Sequence, residues 1–230
     1  MRTEMQGHLE YAWGGDEVVL TGDGAVVVAR TRTAYIADVH FGKASTYRHA
    51  GVPVPSGTTQ RTIDRMTSVV RSHPVERLVI LGDLLHAAQG RTPAVLDAVS
   101  AWRGTMSALA VELVRGNHDA RAGDPPAAWR MVCRDEPAED GPWRLAHDPA
   151  CAVSGRPTLA GHLHPAVRLQ DVDGARARFP CFWCQPELLV LPPFGPFTGH
   201  MTIRPSRTDA VFVVIDGAVM RVPAGLMWRK

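Results

Sequence analysis

Five apolar runs in this chain end on side chains that can bind a metal. Residues 35–37 lead into Asp38-Val39-His40, and 78–81 into Gly82-Asp83. Residues 109–115 are followed by Gly116-Asn117-His118-Asp119, 145–146 by His147, and 159–160 by Gly161-His162-Leu163-His164. Runs of that length read as strands. In open α/β sheets, sites assemble beyond the carboxyl ends of the strands, so these distant residues are expected to converge. Glycines at 82, 116 and 161 let the chain turn tightly beside them.

Helical patterns lie between the first runs. Residues 56–71 put Ile63, Met66 and Val70 on one face, with hydroxyls near the start to cap it. Thr92-Pro93 opens another helix with Pro at its first position and Val95, Leu96, Val99 and Trp102 as its apolar stripe. Residues 18–20 and 25–29 flank TGDG, which predicts a hairpin turning at Asp23-Gly24. Strand, helix, strand, helix, strand implies a parallel sheet. The second half reads as mostly strand, with runs at 159–163, 188–191 and 211–215. At 230 residues the chain can bury a real core, and one α/β domain over 1–230 is the expectation.

Composition narrows the classes. With 45% apolar and 21% charged residues the chain is neither disordered nor fibrous. A net charge of +2 argues by itself for no strongly charged partner. No run approaches the roughly 18 apolar residues of a membrane span, and the N-terminus lacks an apolar leader core. Cys133, Cys151, Cys181 and Cys184 are too few for a disulfide scaffold, so a reducing cytoplasm is expected. Cys181 and Cys184 form a CFWC pair without two further ligands, which favours buried apolar residues over a zinc site.

The candidate ligands are Asp38, His40, Asp83, Asn117, His147, His162 and His164. Oxygen and imidazole without thiolate suit Mn, Fe or Zn rather than Ca. Seven donors are too many for one tetrahedral ion. Two divalent ions sharing a bridging carboxylate fit the number, and such a pair generates a nucleophile from water while clamping an in-line displacement at phosphorus. A departing alkoxide then needs a proton, and His118 is the expected catalytic acid. Asn117 is the only asparagine in the chain. Its side-chain oxygen can bind a metal without adding charge.

D-x-H, GD, GNHD, H and GHLH, in that order, resemble the blocks of the calcineurin-like metallophosphoesterases. Carried over, Asp38, His40 and His164 would hold one ion, Asn117, His147 and His162 the other, and Asp83 would bridge. ADVHFGKASTYRHAGVPVPSGT, LGDLLHA, GHLHPAV, PCFWC and LPPFGPFTG further resemble the ligase-associated DNA-damage-response phosphoesterases, the PdeM subfamily. Cys184 and His200 depart from that pattern. The resemblance implies a four-layer α/β/β/α sandwich, two ions of the Mn type, and phosphodiesterase or endonuclease action on DNA in repair. An ATP-dependent DNA ligase and a helicase would be its partners. The alternatives are a small-molecule phosphatase, a cyclic-nucleotide phosphodiesterase, and a non-catalytic protein-binding scaffold on the same fold.

Other residues fall around this frame. Lys43 is one of only two lysines, with Lys230; directly after the first ligand pair, it suits a substrate phosphate. His86 and Arg48 are further candidates for substrate contact, against a core histidine and a solvated arginine. Asp119 reads as a structural hydrogen-bonding group in its loop. Arg168, Arg176 and Arg178 surround an expected hairpin, either as a solvated turn or as contacts to DNA phosphates. Phe194 or Phe197 would stack a base near the metals or lie in the core.

Overall fold

The computed structural model describes residues 6–170 and 174–223. The strands β1 (His8–Trp13), β2 (Asp16–Thr21), β3 (Val26–Val28), β4 (Thr33–Ala37), β5 (Arg77–Leu81), β6 (Ala110–Val114) and β7 (Met131–Arg134) form one sheet in chain order. β1 to β4 run antiparallel, and β4 to β7 are parallel. The parallel crossovers carry α1 (Lys43–His49), α2 (Thr58–Ser72), α3 (Pro93–Thr105) and α4 (Asp119–Ala122).

The parallel strands are mostly apolar, and β4 and nearly all of β5 are covered on both faces, while Glu112 in β6 pairs with Arg77 of β5. Ala34, Ile36, Leu78, Ile80, Val111 and Leu113 pack against Ile63, Met66 and Val69 of α2 and Val95, Val99 and Trp102 of α3. The alternate residues Tyr35, Ala37, Val79, Leu81 and Val114 turn the other way, onto a second sheet. That sheet contains β8 (Ala138–Asp140), β9 (Trp143–Leu145), β10 (Thr158–Ala160), β11 (Pro165–Gln170), β12 (Arg176–Cys184), β13 (Leu188–Val190), β14 (Met201–Thr202), β15 (Ala210–Ile215) and β16 (Ala218–Arg221). Trp143, Leu145, Leu159, Phe182, Leu189 and Phe212 supply its half of the shared core. β10 runs parallel to both β9 and β13, so these strands share one carboxyl end.

Several sequence expectations hold. The hairpin turns at Asp23-Gly24, with Val19 opposite Val27, and α3 begins at Pro93. Others need correction. α2 begins at Thr58 behind Gly57, in a left-handed conformation at φ 75°, and no hydroxyl caps it. β10 stops at Ala160, because the chain turns away at once to present His162. β1 and α1 were not foreseen. Among the described residues no α-helix follows α4. On the outer face of the second sheet, Ile203 and Val222 pack against Val167, Cys181, Val211 and Val213. No described helix is long and apolar enough to cross a membrane.

Candidate metal centre

The carboxyl ends of the two sheets meet. A parallel bridge pairs Ala37, the last residue of β4, with Pro193 just after β13. The residues that follow the strands leave by an uncommon route. Asp38, His40, Asp83, His162 and His164 all have positive φ, between 48° and 68°. Left-handed backbone is unfavourable for such residues and persists only where the surroundings enforce it, commonly at functional sites. Here hydrogen bonds enforce it. His40 N–H donates to Asp83 O at 2.7 Å, and Asp38 N–H to Gly82 O at 3.2 Å. His162 N–H reaches both Asp38 carboxylate oxygens, at 3.2 and 3.0 Å.

Three overlapping groups of donor atoms result: Asp38 with His40 and His164, Asp38 with Asp83 and His147, and His40 with His86 and His118. Asp38, His40 and His164 offer atoms within 4.8 Å of one another. His164 Nε2 lies 3.4 Å from Asp38 Oδ1, while its Nδ1 donates to Gly199 O at 2.8 Å and so fixes the ring. The second group gathers around His147 Nε2, which is 3.0 Å from Asn117 Oδ1, 2.9 Å from His162 Nδ1 and 3.5 Å from Asp83 Oδ1. Asp83 spans the first two, since its Oδ2 lies 3.8 Å from His40 Nε2. Asp38, His40, Asp83 and His147 are buried, whereas Asn117 and His162 are open to solvent. Space is tight. A Cβ on Gly82 would strike the His147 ring, and one on Gly116 the Asp83 carboxylate.

The residues present fit a metal. Both ring nitrogens of His40 are buried without a hydrogen-bond partner among the described residues, an arrangement that is costly unless a cation is the partner. Burial, followed by the charge of Lys43 and the neighbouring histidines, drives the His40 pKa far down and leaves a neutral ring. Neutral imidazole is the form that ligates. Burial raises the Asp83 pKa, against the pull of His147 and the His118 N–H. A bound cation would reverse that balance.

His118 stands at the rim. Its Nδ1 lies 2.6 Å from His86 O, its ring stacks on that of His86 at 4.8 Å, and its Nε2 lies 3.9 Å from Asp83 Oδ2. His118 N–H donates to Asp83 Oδ1 at 2.9 Å, which couples the loop to the carboxylate. Burial, then Lys43 and His118, push the His86 pKa down to about 4. Lys43 is buried at the start of α1 beside His40, its pKa lowered by burial and supported by Asp38 and Asp83. Arg48 stands apart on the exposed side of α1, where it bonds Pro55 O and Ser45 Oγ. Asp119 is structural, as its position suggested: it accepts from Leu85 N at 3.1 Å and Gly116 N at 3.0 Å. Cys181 and Cys184 lie in different clusters on opposite faces of β12, so they cannot share an ion.

One supporting residue escaped the sequence reading. Glu136 Oε2 accepts from the main-chain N–H of both His147 and Asp148 at 2.7 Å, holding the His147 backbone in place. A lone glutamate in a loop gives no periodicity or motif by which to find it.

Fold and site together define an α/β protein of two packed sheets with a candidate metal centre where their carboxyl ends meet. Among solved structures the chain is similar to the nuclease MPE of Pseudomonas putida. The two share 37% identity and a TM-score of 0.83, over 94% of this chain and 100% of that one. The chain belongs to the family of that nuclease. No family model and no curated protein matches it.

Proposed function

We propose that this chain is a dinuclear metal-dependent phosphodiesterase that cleaves DNA. The observation that carries the reading is Asp83, a buried carboxylate with one oxygen toward His147 and the other toward His40. The likeness to a nuclease supports a hydrolase acting on phosphoesters. Asp38, His40 and His164 would hold one ion, Asn117, His147 and His162 the other, with Asp83 between them. Bound ions would lower the pKa of an attacking water and polarise the phosphate. Manganese is the first choice, and iron or zinc suits the same oxygen and imidazole donors.

The chain's own groups do the rest. Lys43 meets a non-bridging phosphate oxygen as a point charge. His118 donates a proton from Nε2 to the departing alkoxide, held in place by the bond from Nδ1 to the His86 carbonyl. In the cell this activity would serve DNA repair, beside an ATP-dependent DNA ligase and a helicase.

The test is hydrolysis of a simple aryl phosphodiester and of its monoester with added manganese, with Asp83→Ala as control. Diester cleavage that the substitution abolishes supports the two-ion reading. A preference for the monoester would make the chain a phosphatase. Equal rates with and without Asp83 would overturn the assignment.

A further inference from the structure

An open cavity of about 490 Å³ lies where the turn after β2, strand β12 and the β15–β16 hairpin meet segment 192–200. That is the size of a site for a small organic ligand. Segment 192–200 separates the cavity from the metal centre and belongs to both. Pro196 and Phe197 line the cavity on one side and the narrow space beside His40 and Lys43 on the other. The segment is fastened to the candidate ligands: Gly195 N–H donates to Asp38 O at 2.9 Å, and Gly199 O receives the His164 Nδ1–H.

Phe197 is 44% exposed at φ 58°. A left-handed backbone is unfavourable for an aromatic residue, and burial does not explain this one. Phe194 is the contrasting case: it is fully buried, with the Arg65 guanidinium 4.4 Å above its ring. Of the two aromatics in the segment, only Phe197 is free to stack on a ligand. His200 also lines the cavity, and its Nδ1 has no hydrogen-bond partner among the described residues.

The second observation is on β12. Arg178 lies directly opposite Arg168 of β11, both exposed, and no carboxylate among the described residues pairs with either. Like charges facing across a ladder are destabilising, and an anion between them would relieve the repulsion. Pro180, two residues along on the same face as Arg178, lines the cavity.

We infer that this cavity is a subsite for one unpaired nucleotide of the strand being cut. Its base stacks on Phe197, and the adjoining phosphate lies by Arg168 and Arg178. The inference rests on the proposed DNA substrate. Stacking on one aromatic face tolerates any base, and the base must be out of its duplex to reach it.

The test separates binding from cleavage. A fluorescent oligothymidylate is compared with an abasic strand carrying the same number of phosphates, in chelator so that neither is cut. Wild-type protein should bind the base-bearing strand about ten-fold more tightly. Phe197→Ala should bind both equally, and Phe197→Tyr should restore the preference. Removing Arg168 or Arg178 should each reduce the salt slope of binding by about 0.7. A preference that survives Phe197→Ala, or that wild-type protein lacks, overturns the subsite. Base preference without any cleavage of DNA in manganese would support the subsite and sink the nuclease reading.

Discussion

The Nδ1 of His118 lies 2.6 Å from the main-chain oxygen of His86. A carbonyl can only accept, so Nδ1 carries the hydrogen and Nε2 is the nitrogen presented toward Asp83. A proton held on Nε2 therefore belongs to the imidazolium form and can pass to a leaving group without disturbing the ring's anchor. Because that anchor is backbone, no substitution of the His86 side chain removes it directly.

His118→Ala should keep its full complement of metal and lose about 100-fold or more in turnover. The loss should be greatest for alkyl leaving groups and small for p-nitrophenolate, which departs without a proton. Rates on both classes of ester, with metal content measured on the same sample, check this. An equal loss on both would make His118 a binding residue rather than an acid.

Asp83→Ala removes the carboxylate that faces both His40 and His147. We expect bound manganese to fall from two equivalents to one or none, with turnover down by at least about 100-fold. Elemental analysis of the purified variant reads the first number. Full occupancy would mean that Asp83 does not bridge.

Much of this was legible from the chain. Asp38, His40, Asp83, Asn117, His118, His147, His162 and His164 each lie within a few residues of the end of an apolar run, and a strand end fixes where a side chain goes better than a loop does. The buried strands β4 and β5 also announced themselves through their apolar runs. What stayed hidden depended on partners distant in sequence. Arg103 looks like an exposed helix residue, yet it is buried and donates to the carbonyls of Trp129, Met106 and Leu109. Glu136 acts through the backbone of His147. The α1 stretch KASTYRH has no apolar stripe, and β1 has the mixed composition of an edge strand. Phe194 and Phe197 differ only in which way the segment turns, and composition carries no information about that.

Asp119→Ala should destabilise the protein by about 2–5 kcal/mol, because it leaves the buried N–H groups of Leu85 and Gly116 without acceptors. Asp119→Asn keeps one acceptor oxygen and should cost less. Urea unfolding of both variants at constant manganese decides the order. If Asp119→Ala unfolds at the wild-type midpoint, the loop does not depend on this carboxylate.

Removing the metal should lower stability by an amount that shrinks as pH falls. Ions at a hundred times their dissociation constant add about 2.7 kcal/mol per site, or roughly 5–10 °C in Tm for a chain of this size. The two states respond to pH in opposite directions. Without metal, burial raises the Asp83 pKa above its unfolded value. The folded chain then binds that proton more tightly than the unfolded chain, so stability rises as pH falls through the raised value toward the unfolded one. With metal, Asp83 must be ionised and the histidines neutral, so acid competes with binding and stability falls. The Tm difference between manganese-loaded and chelated protein should therefore be large at pH 8 and much smaller at pH 5.5. Thermal scans at both pH values measure it, with Asp83→Ala, which keeps at most one ion, expected to show a smaller difference than wild type. A gap that does not change with pH would place the bound manganese on groups other than these.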